Sequence, residues 1–221
     1  MLFRFSDIKH RAPEVLGAWL SQSENLHHAT VLYLAGVYGG GFIETRLLAL
    51  TQAAEAFHRR FYPGLYMDEV RFKTEVFEPL KAAMPTSIDD PLRAALTSRL
   101  SFANEYSLRR RMQALFREHR DALRVLVDEP ESYISPIIEH RNEFTHFPRR
   151  GSEGGSGTPP DPEQVLLYNW ILRVLLESCF LRAMGFSTDE IQSFAASSNT
   201  YRQMSARFRD RRTAPMPTRP S

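Results

Sequence analysis

One cysteine, Cys179, is all that the 221 residues provide. No internal disulfide can staple such a chain, and CxxC zinc or redox chemistry is excluded. No run of 18 residues is both apolar and uncharged. The best stretch, Val165 to Met184, is interrupted by Arg173, Glu177 and Arg182, so it predicts a buried helix and not a membrane span. The start, Met1-Leu2-Phe3-Arg4-Phe5, has no basic region leading into an apolar run, and so no secretory signal. These absences lead us to expect a cytoplasmic protein with no membrane partner. The GxxxxGK phosphate loop, HExxH and nucleophile elbow are also missing. Lysine is scarce, at 3 against 25 Arg, a ratio that by itself decides nothing.

What is present suits a globular helical protein. Hydrophobic residues make up 43% of the chain, enough for a core and too many for wholesale disorder. The net charge of +2 hides an asymmetry. From Asn199 to Ser221 six Arg face one acid, Asp210, for a net of +5, which leaves −3 on residues 1–198. The expectation is a mildly acidic body followed by a basic, Pro-containing flexible tail over residues 198–221.

Apolar residues recur at helical spacing almost throughout. Val15, Leu16, Trp19 and Leu20 follow Pro13 in a short helix, and Leu26 to Val37 forms a second. Gly39-Gly40-Gly41 reads as a hinge. Leu47, Leu48, Leu50, Ala54 and Phe57 predict a helix from about Ile43 to Tyr62, ended by Pro63-Gly64. Asp68 can cap a helix that runs to about Met84 and must bend or break near Pro79. Asp89-Asp90-Pro91 starts another, to about Ala103. Further helices are expected over 107–124, 132–147 and 162–184, with Gly185 as a C-terminal cap, and a final turn or two over 188–196. Leu2 to Phe5 is the one plausible strand. Pro148 to Pro162 is a Gly-, Ser- and Pro-rich loop. The fold class is all-α.

One segment carries chemistry. Arg141-Asn142-x-x-x-His146 sits in a predicted helix that Pro148 ends. An Arg five residues before a His should occur about 0.8 times by chance in this composition. Requiring Asn directly after the Arg lowers that to roughly 0.02, so the three-part pattern is informative where the pair is not. Asn142 and His146, four apart, share a helix face, while Arg141 projects about 140° away from His146. A histidine titrating near 6.5 can move protons. A guanidinium can clamp phosphate oxygens, and Asn can orient the imidazole or donate to the phosphate. Together, without a metal or cofactor, these groups suit RNA cleavage through the 2′-OH, leaving a 2′,3′-cyclic phosphate and a 5′-hydroxyl. Against this, the dipole at the helix C-terminus favours protonated His146, whereas a general base must be partly neutral. The alternative is a helix-end His146 packed on Phe147, with Arg141 paired to Glu143 or another acid.

Here the sequence resembles the HEPN superfamily, whose signature is Arg, a polar residue, three variable positions and His. More narrowly it is similar to the ApeA-like HEPN family. The similarity lies in Leu47 to Arg59, in Leu96 to Leu115 with Arg99-Leu100, Asn104-Glu105 and Ser107-Leu108-Arg109, and in Leu181 to Ser187. The resemblance implies a HEPN-type up-and-down helical bundle with short flanking helices. The boundaries would be an N-terminal helical extension or linker over 1–42, the HEPN domain over 43–197 and the basic tail over 198–221. It implies metal-independent ribonuclease activity, a homodimer with a composite active site, and bacterial defence against phage, with RNA, tRNA among the candidates, as substrate. By position Arg141 and His146 would be catalytic, Asn142 the polar motif residue and Glu55 a supporting acid. For Glu55 an i,i+4 pair with Arg59 is the rival reading. For Asn104 a role in capping the helix at Ser107 is preferred over support of the site. Full-length relatives carry a large β-rich N-terminal region. About 42 residues precede this bundle, so the expectation is a stand-alone effector, a remnant or a shortened gene product, with any regulatory N-terminal domain or partner outside this chain. The rival function classes are a non-catalytic helical module that binds RNA or a protein, and an immunity-like partner that masks another toxin.

Overall fold

A computed structural model describes residues 5–146 and 161–213. Short helices α1 (Phe5–Ile8) and α2 (Ala12–Ser21) lead into α3 (Ser23–Tyr38) and α4 (Ile43–Phe61). Phe5 is thus helical, and the rest of the candidate strand lies outside the described residues. α5 (Glu69–Phe72), a π turn (Lys73–Phe77) and α6 (Glu78–Ala82) form one continuous rod, followed by α7 (Asp90–Ser101). Next come α8 (Leu108–Glu118), α9 (Arg120–Leu123), a 3₁₀ turn (Pro130–Tyr133) and α10 (Ile134–His146). The chain closes with α11 (Pro162–Ala183), α12 (Thr188–Ser197) and α13 (Asn199–Thr213). Among the described residues there is no strand, only a bridge between Leu65 and Glu105. The all-α expectation holds.

The core forms where apolar stripes meet. Leu47, Leu50, Ala53, Ala54 and Phe57 of α4 are buried between Leu26, Ala29 and Tyr33 of α3 and the inward face of α11. α11 has the length and hydropathy of a membrane span, yet 72% of that window is buried inside the protein. It is the central helix, because the body surrounds it on most sides. The described residues before α4 pack on the body: α3 makes the broadest packing with α4, and Arg11 lies over the Phe186 ring at 4.7 Å and pairs with Glu190 at 3.4 Å. Gly36 is no hinge. It sits buried in α3, where an added Cβ would come 2.7 Å from Leu50 Cγ. Gly185 has φ +86°, as its capping place requires.

Three sequence expectations are corrected. The helix expected over 107–124 turns at His119 (φ −103°, ψ 19°), because the chain bends there to bury Ala122, Leu123, Leu126 and Val127. Near Pro79, where a bend or break was expected, the helix runs on, and the departure from α geometry falls in the π turn that ends two residues earlier. Asp89-Asp90-Pro91 does start α7, with Asp89 at the N-cap, although its side chain makes no capping bond. Residues 199–213 are helical where a flexible tail was expected. Charge dominates that stretch, but Tyr201, Ser205 and Phe208 form a buried stripe at helical spacing. The remainder of that tail, 214–221, and the loop 147–160 lie outside the described residues.

One polar group inside the body fixes how helices meet. Glu177, 8% exposed in α11, accepts from Tyr33 OH of α3 at 2.5 Å, from Tyr201 OH of α13, and from Arg173 Nε at 2.8 Å. By contrast α5, the π turn, α6 and α7 contain no buried residue at all. They form an excursion with Val70, Leu80, Leu92 and Leu96 exposed.

Candidate active site on α10

α10 begins inside the body and emerges from it. Ile134, Ile137 and Ile138 are buried. At about 100° per residue, Arg141 falls on that same stripe, three residues after Ile138 and seven after Ile134. It is only half-buried, so a cation stands where the apolar stripe runs out. Its Nη1 donates to Asn142 Oδ1 at 3.1 Å, and Thr145 Oγ1 donates to its carbonyl at 2.7 Å. Among the described residues Arg141 makes no ion pair, and the alternative pairing with Glu143 is not made. Asn142 is exposed. Its amide oxygen is occupied by Arg141, which leaves the NH₂ group to donate to a ligand. His146 is the last residue of α10, and its side chain lies outside the described residues.

Glu55 stands elsewhere in a network of charges. Arg59 lays Nε and Nη2 on Glu55 Oε1 at 3.2 and 3.1 Å and extends Nη1 to Glu105 Oε2 at 2.5 Å. The i,i+4 reading of Glu55 is therefore realised, and no described contact joins it to Arg141. Behind this pair Arg111 is 2% exposed. Its Nε donates to the Tyr106 carbonyl at 3.0 Å, Nη1 lies 3.2 Å from His58 Nδ1, and Nη2 is 3.5 Å from Glu105 Oε2. Gly64 gives this guanidinium its room, since a Cβ there would meet Nη1 at 2.9 Å. Asn104 neither caps α8 nor reaches α10. Its amide spans the Met67 backbone, accepting from N at 3.0 Å and donating to O at 2.9 Å. Ser107 caps α8 itself, accepting from Arg110 N.

Burial and the cations of Arg111 and Arg59 lower the His58 pKa to about 4, and burial likewise lowers that of His119 to about 4. Both imidazoles bind protons more weakly in the folded chain than in the unfolded one, where His titrates near 6.5. Between pH 6.5 and 4 the unfolded state takes up more protons, so stability is complete above that window and falls as the pH drops through it. Unfolding free energy from urea titrations should be lower at pH 4.5 than at pH 7 by on the order of 2–4 kcal/mol. His119→Gln should make the decline shallower. A flat profile in the wild type would show that the two rings are not held neutral.

Sequence reasoning missed Arg111 and Glu177. Both carried one available signal: a charged residue at a position where helical spacing calls for an apolar one. Arg111 shares its stripe with Met112, Leu115 and Phe116, and Glu177 lies in the longest and most buried helix. Arg141 has the same signature but stays accessible. Among the described residues no group of three or more His, Cys, Asp or Glu side chains is placed to hold a metal ion.

No curated protein and no solved structure matches the chain. The model of the ApeA-like HEPN family matches residues 48–190, from the first turns of α4 to the start of α12. That span takes in Glu55, the network at Arg111, and the whole of Arg141-Asn142-x-x-x-His146. It covers well over half of the 221 residues, and the chain belongs to the ApeA-like HEPN family.

Proposed function

We propose that this HEPN module is a metal-independent endoribonuclease that works as a homodimer in the cytoplasm, as an effector of bacterial defence against phage. The observation that carries the reading is Arg141. Its guanidinium is half-exposed, free of carboxylates among the described residues and coupled to Asn142. A structural arginine in such a place would be paired to an acid, as Arg59 and Arg111 are. An arginine kept for phosphate would not.

In the proposed reaction His146 takes the proton of the ribose 2′-OH. The 2′-oxygen attacks phosphorus, the P–O5′ bond breaks, and a proton is delivered to the departing 5′-oxygen. Arg141 stabilises the charge that builds on the phosphorane oxygens, and Asn142 donates through its NH₂. One imidazole cannot begin the step both as base and as acid. A second copy of the chain, bringing its own motif to the same phosphate, supplies the other. Glu55, held by Arg59, acts on this site only through the α4 scaffold.

Purified protein incubated with total RNA, tRNA included, should cleave it at undiminished rate in excess EDTA. DNA of matched sequence, which lacks the 2′-OH, should stay intact. Protein that binds RNA but leaves it whole at every concentration would reduce the assignment to a non-catalytic HEPN module.

A further inference from the structure

The first turn of α8 is built against its own dipole. A helix N-terminus presents unpaired N–H groups and partial positive charge, and normally collects acids. α8 opens Leu108-Arg109-Arg110-Arg111 with no acid in that turn. Arg111 turns inward to Glu105, but among the described residues Arg109 and Arg110 have no ion pair. Three cations at a positive helix end repel one another unless an anion joins them.

Aromatic rings stand beside that charge. The Arg110 guanidinium lies over the Tyr106 ring at 4.6 Å and over Tyr66 at 5.5 Å, and the two rings meet edge to face at 4.9 Å. Tyr66 is 55% exposed, although the backbone on either side of it is pinned by Asn104 and by the Gly64 carbonyl that accepts from Tyr106 N. A rigid backbone that displays an exposed ring next to two arginines without an ion pair among the described residues is a platform on which a base stacks while its phosphates are neutralised.

Register ties the platform to the candidate site. Arg109 Nη1 donates to Ser135 Oγ of α10 at 2.5 Å. Ser135 and Asn142 are seven residues apart, so they share a helix face with an axial separation of about 10.5 Å. Glu139, exposed between them, breaks the track into two separate contact points.

We propose that Tyr66, Tyr106, Arg109 and Arg110 form a binding subsite for single-stranded RNA, joined through Arg109 and Ser135 to the helix that carries Arg141. The inference rests on the nuclease reading for the identity of the scissile end, but not for binding itself.

The test uses the full chain with two probes. One is a fluorescein-labelled 12-nucleotide RNA, 2′-O-methylated throughout so that it cannot be cleaved, measured by anisotropy. The other is a dinucleoside monophosphate, too short to span the two points. Tyr66→Ala and Arg110→Ala should each weaken 12-mer binding about tenfold. Tyr66→Phe should bind as the wild type does, and Arg110→Ala should lower the salt dependence by about one ion. Duplex RNA should be indifferent to Tyr66→Ala. If the protein cleaves, KM for unmodified 12-mer should rise in both Ala variants while dinucleotide turnover stays unchanged. Wild-type affinity in both Ala variants, or no 12-mer binding by the wild type, overturns the subsite. Weakened binding in a protein that cleaves nothing would sustain the subsite and remove the nuclease reading.

Discussion

His146→Ala and Arg141→Ala should each abolish measurable RNA cleavage and leave the fold intact. Removing a positioned acid–base group takes about 10²–10⁴ from the rate. Removing a cation aimed at the charge of the transition state takes about 10²–10³. Structural losses should be small by comparison, because Arg141 lies past the last buried turn of α10, and its described side-chain partner is the exposed Asn142. Stability should therefore change by less than about 0.5 kcal/mol, and helical circular dichroism should be unchanged. Arg141→Lys should recover only part of the activity: it restores charge without the fork that meets two phosphate oxygens. Asn142→Ala, which removes one NH₂ donor, should be milder. Initial rates on one defined RNA check all four variants. Full activity in His146→Ala would leave the motif without a catalytic role.

The largest effect on stability should come from Glu177→Leu. One buried carboxylate accepts from Tyr33, Tyr201 and Arg173, and so joins α3, α11 and α13. Leucine fills the space but leaves two hydroxyls and a guanidinium without their acceptor. Breaking a buried pair from one side removes about 3–5 kcal/mol, a large part of the roughly 5–15 kcal/mol that holds an ordinary domain together. Tyr33→Phe and Tyr201→Phe, which each delete one hydrogen bond, should lose about 1 kcal/mol. Glu177→Gln keeps an acceptor oxygen and should fall between these. Urea unfolding gives the ranking, and limited proteolysis at Arg202 or Arg207 reports whether α13 has come loose. A wild-type midpoint in Glu177→Leu would mean that apolar packing alone holds these three helices.

The burial of Tyr33, Glu177 and Tyr201 also marks where sequence reading stops. Helical spacing located α4, α10 and α11 within a residue or two, because each has a stripe that must face a core. It lost α13, where Arg residues at 202, 207, 209, 211 and 212 outweigh Tyr201, Ser205 and Phe208 in composition although the latter set the helix face. It also ran two helices together across His119, since nothing local in that stretch forces the turn. Asn104 could not have been read correctly from its surroundings, because its partner, Met67, is distant in sequence and the contact is made through backbone. The motif on α10 was legible for the opposite reason: Arg141, Asn142 and His146 lie within two turns of one helix. What no local pattern could give was the reach of Arg59 to Glu105, or the contact from Arg109 to Ser135.

The most direct measurement is the chemistry of the ends left on cut RNA. Transfer to the 2′-oxygen at Arg141 and His146 leaves a 2′,3′-cyclic phosphate on one fragment and a 5′-hydroxyl on the other. Mass spectrometry of the fragments, with 5′ labelling by polynucleotide kinase without prior phosphatase treatment, should report those two ends. Fragments that carry a 3′-hydroxyl and a 5′-phosphate would mean that water attacked the phosphorus, and the account of these residues would be wrong.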